Sequence, residues 1–285
     1  MIRHETQCFP TVPYRAAAGG SRHEGNFRIC WAVATGVVIA SLSGGVARGQ
    51  EAVRRSPIRV TCLDVYGQGE RGIGPKNIQR CLSSSPDFTF QTVNADDIRS
   101  NALAKFDVII CPGGSGSKQS RLLDAEGRRA IDEFIKNGGG YIGICAGAYL
   151  ASSQYSWSLG ILNAKVVDNA HWARGTGDVT LKMTAEGRRL LGTNDAIVTC
   201  HYGQGPLLAP GGRTDLPPYH VLATYNSEIA KKGAPSGVMI DTTAIATGTY
   251  GKGRVLCFSP HPEKTKGLED FVRRGVRWAA GNDRM

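Results

Sequence analysis

From residue 58 onward, short runs of β-branched and apolar residues alternate with longer stretches in which apolar residues recur every three or four positions. The run "IRVTCLDV" (58–65) reads as a buried strand, and a glycine-rich loop follows at 67–74. Residues 75–84 predict a helix, because Pro75 suits a first helical turn, where an N–H is not needed. "FTFQTV" (88–93) alternates with period two and predicts a strand. "FDVIICPGG" (106–114) predicts a strand that ends in a tight turn. The stretch "DAEGRRAIDEFIKNGGG" (124–140) predicts a helix: Leu123, Ala130, Ile131, Phe134 and Ile135 fall on one face, and Gly138 closes it. "YIGI" (141–144) is then a short buried strand. Strand and helix alternating in this way predict a parallel sheet covered on both faces.

The second half is richer in strands, at 163–168, 178–183, 196–202, 220–226, 237–250 and 253–259. A long loop, "GQGPLLAPGGRTDLPP" (203–218), separates two of them, and loops of that length are often functional. The segment 268–281 predicts an amphipathic helix with Phe271, Val272, Val276 and Ala279 on its apolar stripe. Without an internal repeat or an evident linker, residues 57–281 are expected to form a single α/β domain. Its sheet is expected to be doubly wound and mostly parallel, with helices on both faces and a strand-rich C-terminal half.

The first 49 residues have a different character. Residues 31–41 form an apolar core, and small residues lead from it to Ala47-Arg48-Gly49. That arrangement resembles a secretory signal, with residues 50–56 as a short linker. Export to a periplasmic or extracellular space is therefore expected; an uncleaved segment would act as a membrane anchor. The apolar run is too short for a stable span. The whole chain has 285 residues and a formal charge of +10. Its basic residues are scattered in short pairs without interleaved aromatics, so nucleic acid is not an expected partner.

Eight cysteines are present, none in a CxxC arrangement, and the histidines show no HxH or HxxxH spacing. Neither a metal nor another cofactor is expected. One cysteine stands out. In "GGGYIGICAGAYLAS" (138–152), Cys145 lies between Gly143 and Gly147, after a strand and before a helix-compatible run. A sharp strand-to-helix turn strains its tip residue and crowds its neighbours, which must be small; the pattern is that of a nucleophile elbow. The N–H of Ala146, at the start of the helix, is placed to stabilise an oxyanion, and Gly113 or Gly114 at the end of the preceding strand can supply a second donor. "CFSPHPEK" (257–264) adds His261 and Glu263, separated by one residue, so that the carboxylate can orient the ring and the ring can move the Cys145 proton. His201, Tyr202 and Gln204 are candidates to line a substrate crevice, and "VVDNAHWARG" (166–175), with Trp172, is a candidate for another wall.

The GICAG elbow, the PGG turn and the C-terminal HPE resemble the class I glutamine amidotransferase-like superfamily. Within it, the likeness is strongest to the N-terminal domain of biotin–protein ligases and its stand-alone relatives. The features that carry it are Pro112-Gly113-Gly114, Asn137-Gly138-Gly139, Tyr141, Gly143 to Gly147, "HYGQGP" (201–206) and "GKGRVLCFSPHPE" (251–263). This resemblance implies a flavodoxin-like sheet and a triad of Cys145, His261 and Glu263. No GRGRxxR-type biotinyl-adenylate loop appears, so attachment of biotin is not expected. The expected activity is thiol-dependent hydrolysis of a small-molecule or peptide amide. Two other readings stay open: a non-catalytic small-molecule-binding module on the same scaffold, or a redox-sensing cysteine.

Overall fold

The computed structural model describes residues 56–65 and 73–282. The signal-like segment 1–49, nearly all of the linker and most of the 67–74 loop lie outside the described residues. Eleven strands form one sheet. In chain order they are β1 (Ile58–Leu63), β2 (Phe88–Val93), β3 (Val108–Cys111), β4 (Gly140–Ile144), β5 (Ala164–Val167), β6 (Gly177–Met183), β7 (Ile197–Tyr202), β8 (Leu207–Pro210), β9 (His220–Tyr225), β10 (Thr243–Tyr250) and β11 (Gly253–Phe258). The helices are α1 (Ile73–Leu82), α2 (Ala95–Arg99), α3 (Gly116–Lys136), α4 (Ala146–Ala151), α5 (Ala185–Leu191) and α6 (Glu269–Ala279).

The main path of the sheet runs β2-β1-β3-β4-β11-β10-β9-β6-β7. The five strands from β2 to β11 are parallel. From β11 onward every pairing is antiparallel, with β8 joining β5 to β10. The sheet is therefore mixed, and the expectation of a mostly parallel one holds only for its first half. Connection length explains the change. β10 and β11 are joined by the short turn at Tyr250–Gly253, which can only reverse the chain, whereas β3 reaches β4 through the long helix α3.

Residues of the parallel strands alternate between two buried faces. On one, Val60, Cys62, Ile110, Ile142, Leu256 and Phe258 pack with Ile78 and Leu82 of α1 and Phe271, Val272 and Val276 of α6. On the other, Ile109, Cys111, Tyr141, Val255 and Cys257 pack with Leu123, Ile131 and Ile135 of α3 and Leu150 of α4. Burial on both faces is why β3 and β4 read as continuous apolar runs rather than alternating ones.

Three elements had no counterpart in the sequence reading: α2, α5 and β8. α2 is held by a capping box in which the Asn94 side chain accepts from the Asp97 N–H and Asp97 reaches back to the Asn94 N–H. α3 starts eight residues earlier than expected and bends at Asp124, which has φ 53° and ψ −162°.

Candidate functional site

Register brings the critical turns together. Cys111 pairs with Gly143 across β3 and β4, and Ile144 pairs with Phe258 across β4 and β11. The residues that follow each strand, Pro112-Gly113-Gly114, Cys145 and Ser259-Pro260-His261, therefore emerge at one edge of the sheet. In an open parallel sheet this carboxyl edge is where ligands bind.

Cys145 is the tip of the β4–α4 turn. Its φ of 52° and ψ of −99° lie outside the comfortable regions for a side-chain-bearing residue, a cost of roughly 1–3 kcal/mol. Its N–H donates to the Phe258 carbonyl at 2.8 Å, which holds the turn against β11. The flanking glycines are sterically required. A Cβ on Gly147 would sit 2.0 Å from the Cys111 carbonyl oxygen, and one on Gly143 would sit 2.5 Å from the Gly147 carbonyl oxygen. The pattern G-x-C-x-G thus follows from backbone meeting backbone. Ala146 opens α4, where the first N–H groups have no partner within the helix.

His261 is 3% exposed and Glu263 1% exposed. The His261 Nδ1 and the Glu263 Oε1 are 2.7 Å apart. The other carboxylate oxygen, Oε2, is buried without a hydrogen-bond partner, and Arg80 binds the Glu263 backbone carbonyl at 2.9 Å instead of the carboxylate. The imidazole lies between two glycines. A Cβ on Gly113 would come within 2.7 Å of Cε1, and one on Gly203 within 2.5 Å of Nε2. The Cys145 thiol lies 3.4 Å from the Gly203 carbonyl that accepts from it. Burial pushes the His261 pKa down, but the charge and hydrogen bond of Cys145, and then Glu263, outweigh it and raise the pKa to about 9.

A cavity of about 300 Å³ opens above Cys145. Gly114, Gln204 and Trp172 are on its wall, together with Tyr149, Tyr155 and Trp157. His201 and Tyr202 are not. Tyr202 is fully buried, donates to the Gly205 carbonyl at 2.9 Å and packs edge-on against Tyr225. His201 lies beside the His261 imidazole instead, with ring centroids 6.0 Å apart, and its Nδ1 is 3.4 Å from Asp178. The aromatic wall was missed in the sequence, although "YLASSQYSW" (149–157), directly after the elbow, carries three of its residues. Also missed was Arg174, 1% exposed and paired with Asp168 at 2.5 Å. Among the described residues, no three His, Cys, Asp or Glu side chains gather as a metal set. No described helix is long and apolar enough to cross a membrane.

The PGG turn, the NGG helix end and the glycine-flanked cysteine are now fixed in space, and they agree with a known family. Residues 70–173 match the family described as Biotin-protein ligase, N terminal. The matched stretch contains Gly113, Gly114 and the G-x-C-x-G turn around Cys145, and His261 and Glu263 lie beyond it. A curated relative from Chlamydia muridarum, an uncharacterized protein, is 36% identical over 50 residues, which is 18% of this chain and 19% of that protein. The chain thus matches about a fifth of that relative's length. Among solved structures, a protein described as ThuA-like from Parabacteroides merdae aligns with TM-score 0.54 at 14% identity, covering 79% of this chain and 90% of that one. A cytoplasmic protein from Salmonella typhimurium aligns with TM-score 0.51 at 13% identity, covering 78% and 98%. These likenesses speak to the fold alone. With the family match, they support a class I glutamine amidotransferase-like, mixed α/β fold.

Proposed function

We propose that the protein is a thiol amidohydrolase working from a doubly wound, flavodoxin-like scaffold, and that it acts after export. The observation that supports this reading is a strained, glycine-flanked Cys145 at the floor of an open cavity, with a hydrogen bond to the buried His261 imidazole whose Nδ1 lies 2.7 Å from Glu263. In the proposed reaction His261 takes the thiol proton at Nε2, the nitrogen that Glu263 leaves free. The Cys145 sulfur attacks the amide carbon, and the N–H groups of Ala146 and of Gly113 or Gly114 hold the oxyanion. The C–N bond breaks, the amine leaves with the proton from His261, and a thioester remains on Cys145. Water, deprotonated by His261, then releases the acid and restores the thiol.

An activated acyl donor tests this without knowledge of the natural substrate. Incubation with 4-nitrophenyl acetate is expected to release one burst of nitrophenol per protein and to leave an acetyl group on Cys145, identified by peptide mass spectrometry. Cys145→Ala removes the burst. An acetyl group that never appears on Cys145, or a burst that survives the substitution, sinks the proposal.

A further inference from the structure

The cavity above Cys145 combines an aromatic wall with a lining in which, among the described residues, no Lys, Arg, Asp or Glu side chain appears. Tyr155 and Trp157 stack nearly parallel, with centroids 4.6 Å apart and planes 12° apart. The Tyr155 hydroxyl donates to the Asn169 Oδ1 at 2.5 Å, and the Ser120 hydroxyl donates to the Trp157 carbonyl at 2.5 Å, so the wall is anchored at the Tyr155 ring and at the Trp157 backbone. Trp172 stands at the cavity with 54% of its surface exposed, an unusual setting for a tryptophan that packing does not require. The polar groups beside these rings are the amides of Asn169 and Gln204 and the hydroxyls of Ser115 and Ser117.

Among the described residues lining the cavity there is no Lys, Arg, Asp or Glu, although the chain carries +10 overall. Arg174 does not fill this role. Its Nη1 has no partner, but the side chain is buried, Asp168 neutralises it, and it is not on the cavity wall. A free amino-acid amide brings an ammonium and a carboxylate, and moving both out of water without opposite charges is strongly unfavourable. A ring finds the reverse: apolar faces to stack on and neutral donors and acceptors at its rim.

Resting on the amidohydrolase reading, we infer that the substrate is an uncharged amide carrying a ring beside the amide group, stacked on Tyr155, Trp157 and Trp172, and that the site is not built for glutamine. The test measures how far ligands protect Cys145 from iodoacetamide in the full chain. N-acetylglucosamine and benzamide serve as neutral ring-bearing amides, glutamine as the charged amide, and acetamide as the ringless one. The ring-bearing probes are expected to slow alkylation about tenfold near ten times their Kd, because the free fraction falls as 1/(1 + [L]/Kd). Glutamine and acetamide at the same concentration leave the rate unchanged, and Trp172→Ala removes the protection.

A second readout does not depend on the thiol. Tryptophan fluorescence of Cys145→Ser is titrated with the same four probes, and Trp172→Phe weakens the ligand-dependent signal, leaving the part that comes from Trp157. If Cys145 proves unreactive, the amidohydrolase reading fails while the fluorescence titration still decides the ligand class. Equal or better binding of glutamine, or no binding of either ring-bearing probe in both readouts, overturns the inference.

Discussion

His261 carries the sharpest physical prediction, because two opposing effects act on one buried ring. Burial alone drives a histidine toward its neutral form, whereas Cys145 and Glu263 together bring the pKa from 6.5 to about 9. That rise corresponds to roughly 3 kcal/mol in favour of imidazolium. Glu263→Gln keeps the shape of the side chain and an oxygen for the Nδ1 proton but removes the charge. A hydrogen bond to a charged group is worth about 1.5–3 kcal/mol against about 0.5–1.5 for a neutral one, so the pKa is expected to fall by roughly one pH unit. Cys145→Ala, which removes the larger of the two raising influences, is expected to lower it further. The assay is an NMR pH titration of histidine Cε1 in labelled protein, with His261→Gln to assign the signal among the six histidines. A wild-type His261 that titrates below 6.5 would mean that burial wins. A Glu263→Gln profile identical to wild type would mean that the carboxylate does not tune the ring. Either result refutes the electrostatic account of the site.

Other predictions follow from close approaches and buried charge. Gly203→Ala places a Cβ 2.5 Å from the His261 Nε2 and is expected to displace the ring and lower Cys145 reactivity, read by alkylation. Gly205→Ala instead meets the Ser259 backbone carbonyl at 1.9 Å and is expected to cost about 1–3 kcal/mol of stability or more, read by urea unfolding. Arg174→Ala leaves Asp168 with only the half-buried His171, 2.6 Å away, as a partner and is expected to destabilise by about 1–3 kcal/mol; a change within about 0.5 kcal/mol in the same unfolding assay would show that the Arg174 pair is dispensable. Export predicts a mature N-terminus near residue 50 in protein recovered outside the cytoplasm, and an intact N-terminus in all fractions would contradict it.

Much of the scaffold was legible because burial on both faces leaves a strong mark. β3 and β4 are apolar runs and β1 and β11 are nearly so, and the glycine spacing around Cys145 follows from carbonyl groups that leave no room for a Cβ. What was hidden depended on partners distant in sequence. β8 (Leu207–Pro210) sits inside an apparent loop and becomes a strand only by pairing with β5 and β10. α5 is seven residues long with a glycine at its third position, and Gly187 is there because a Cβ would meet the Leu222 carbonyl at 2.0 Å. Tyr202 shares the core-facing side of β7 with Val198 and Cys200, so its place near the site in sequence did not bring its side chain into the cavity. The aromatic wall was obscured for the opposite reason: Tyr155 and Trp157 fall in an irregular segment after α4, where no periodicity signals which way side chains point.

Hydrolysis at this site requires that Cys145 be a nucleophile poised by His261. The most direct measurement is the rate of iodoacetamide labelling at Cys145 between pH 5.5 and 9.5, resolved by peptide mapping because Cys8 and Cys30 are also present in the chain. The predicted result is labelling near pH 6.5 at least about tenfold faster than a free cysteine, which is only about 1% thiolate there, with that advantage lost in His261→Ala. Labelling that follows an ordinary thiol across the range, and is indifferent to the histidine, would contradict it.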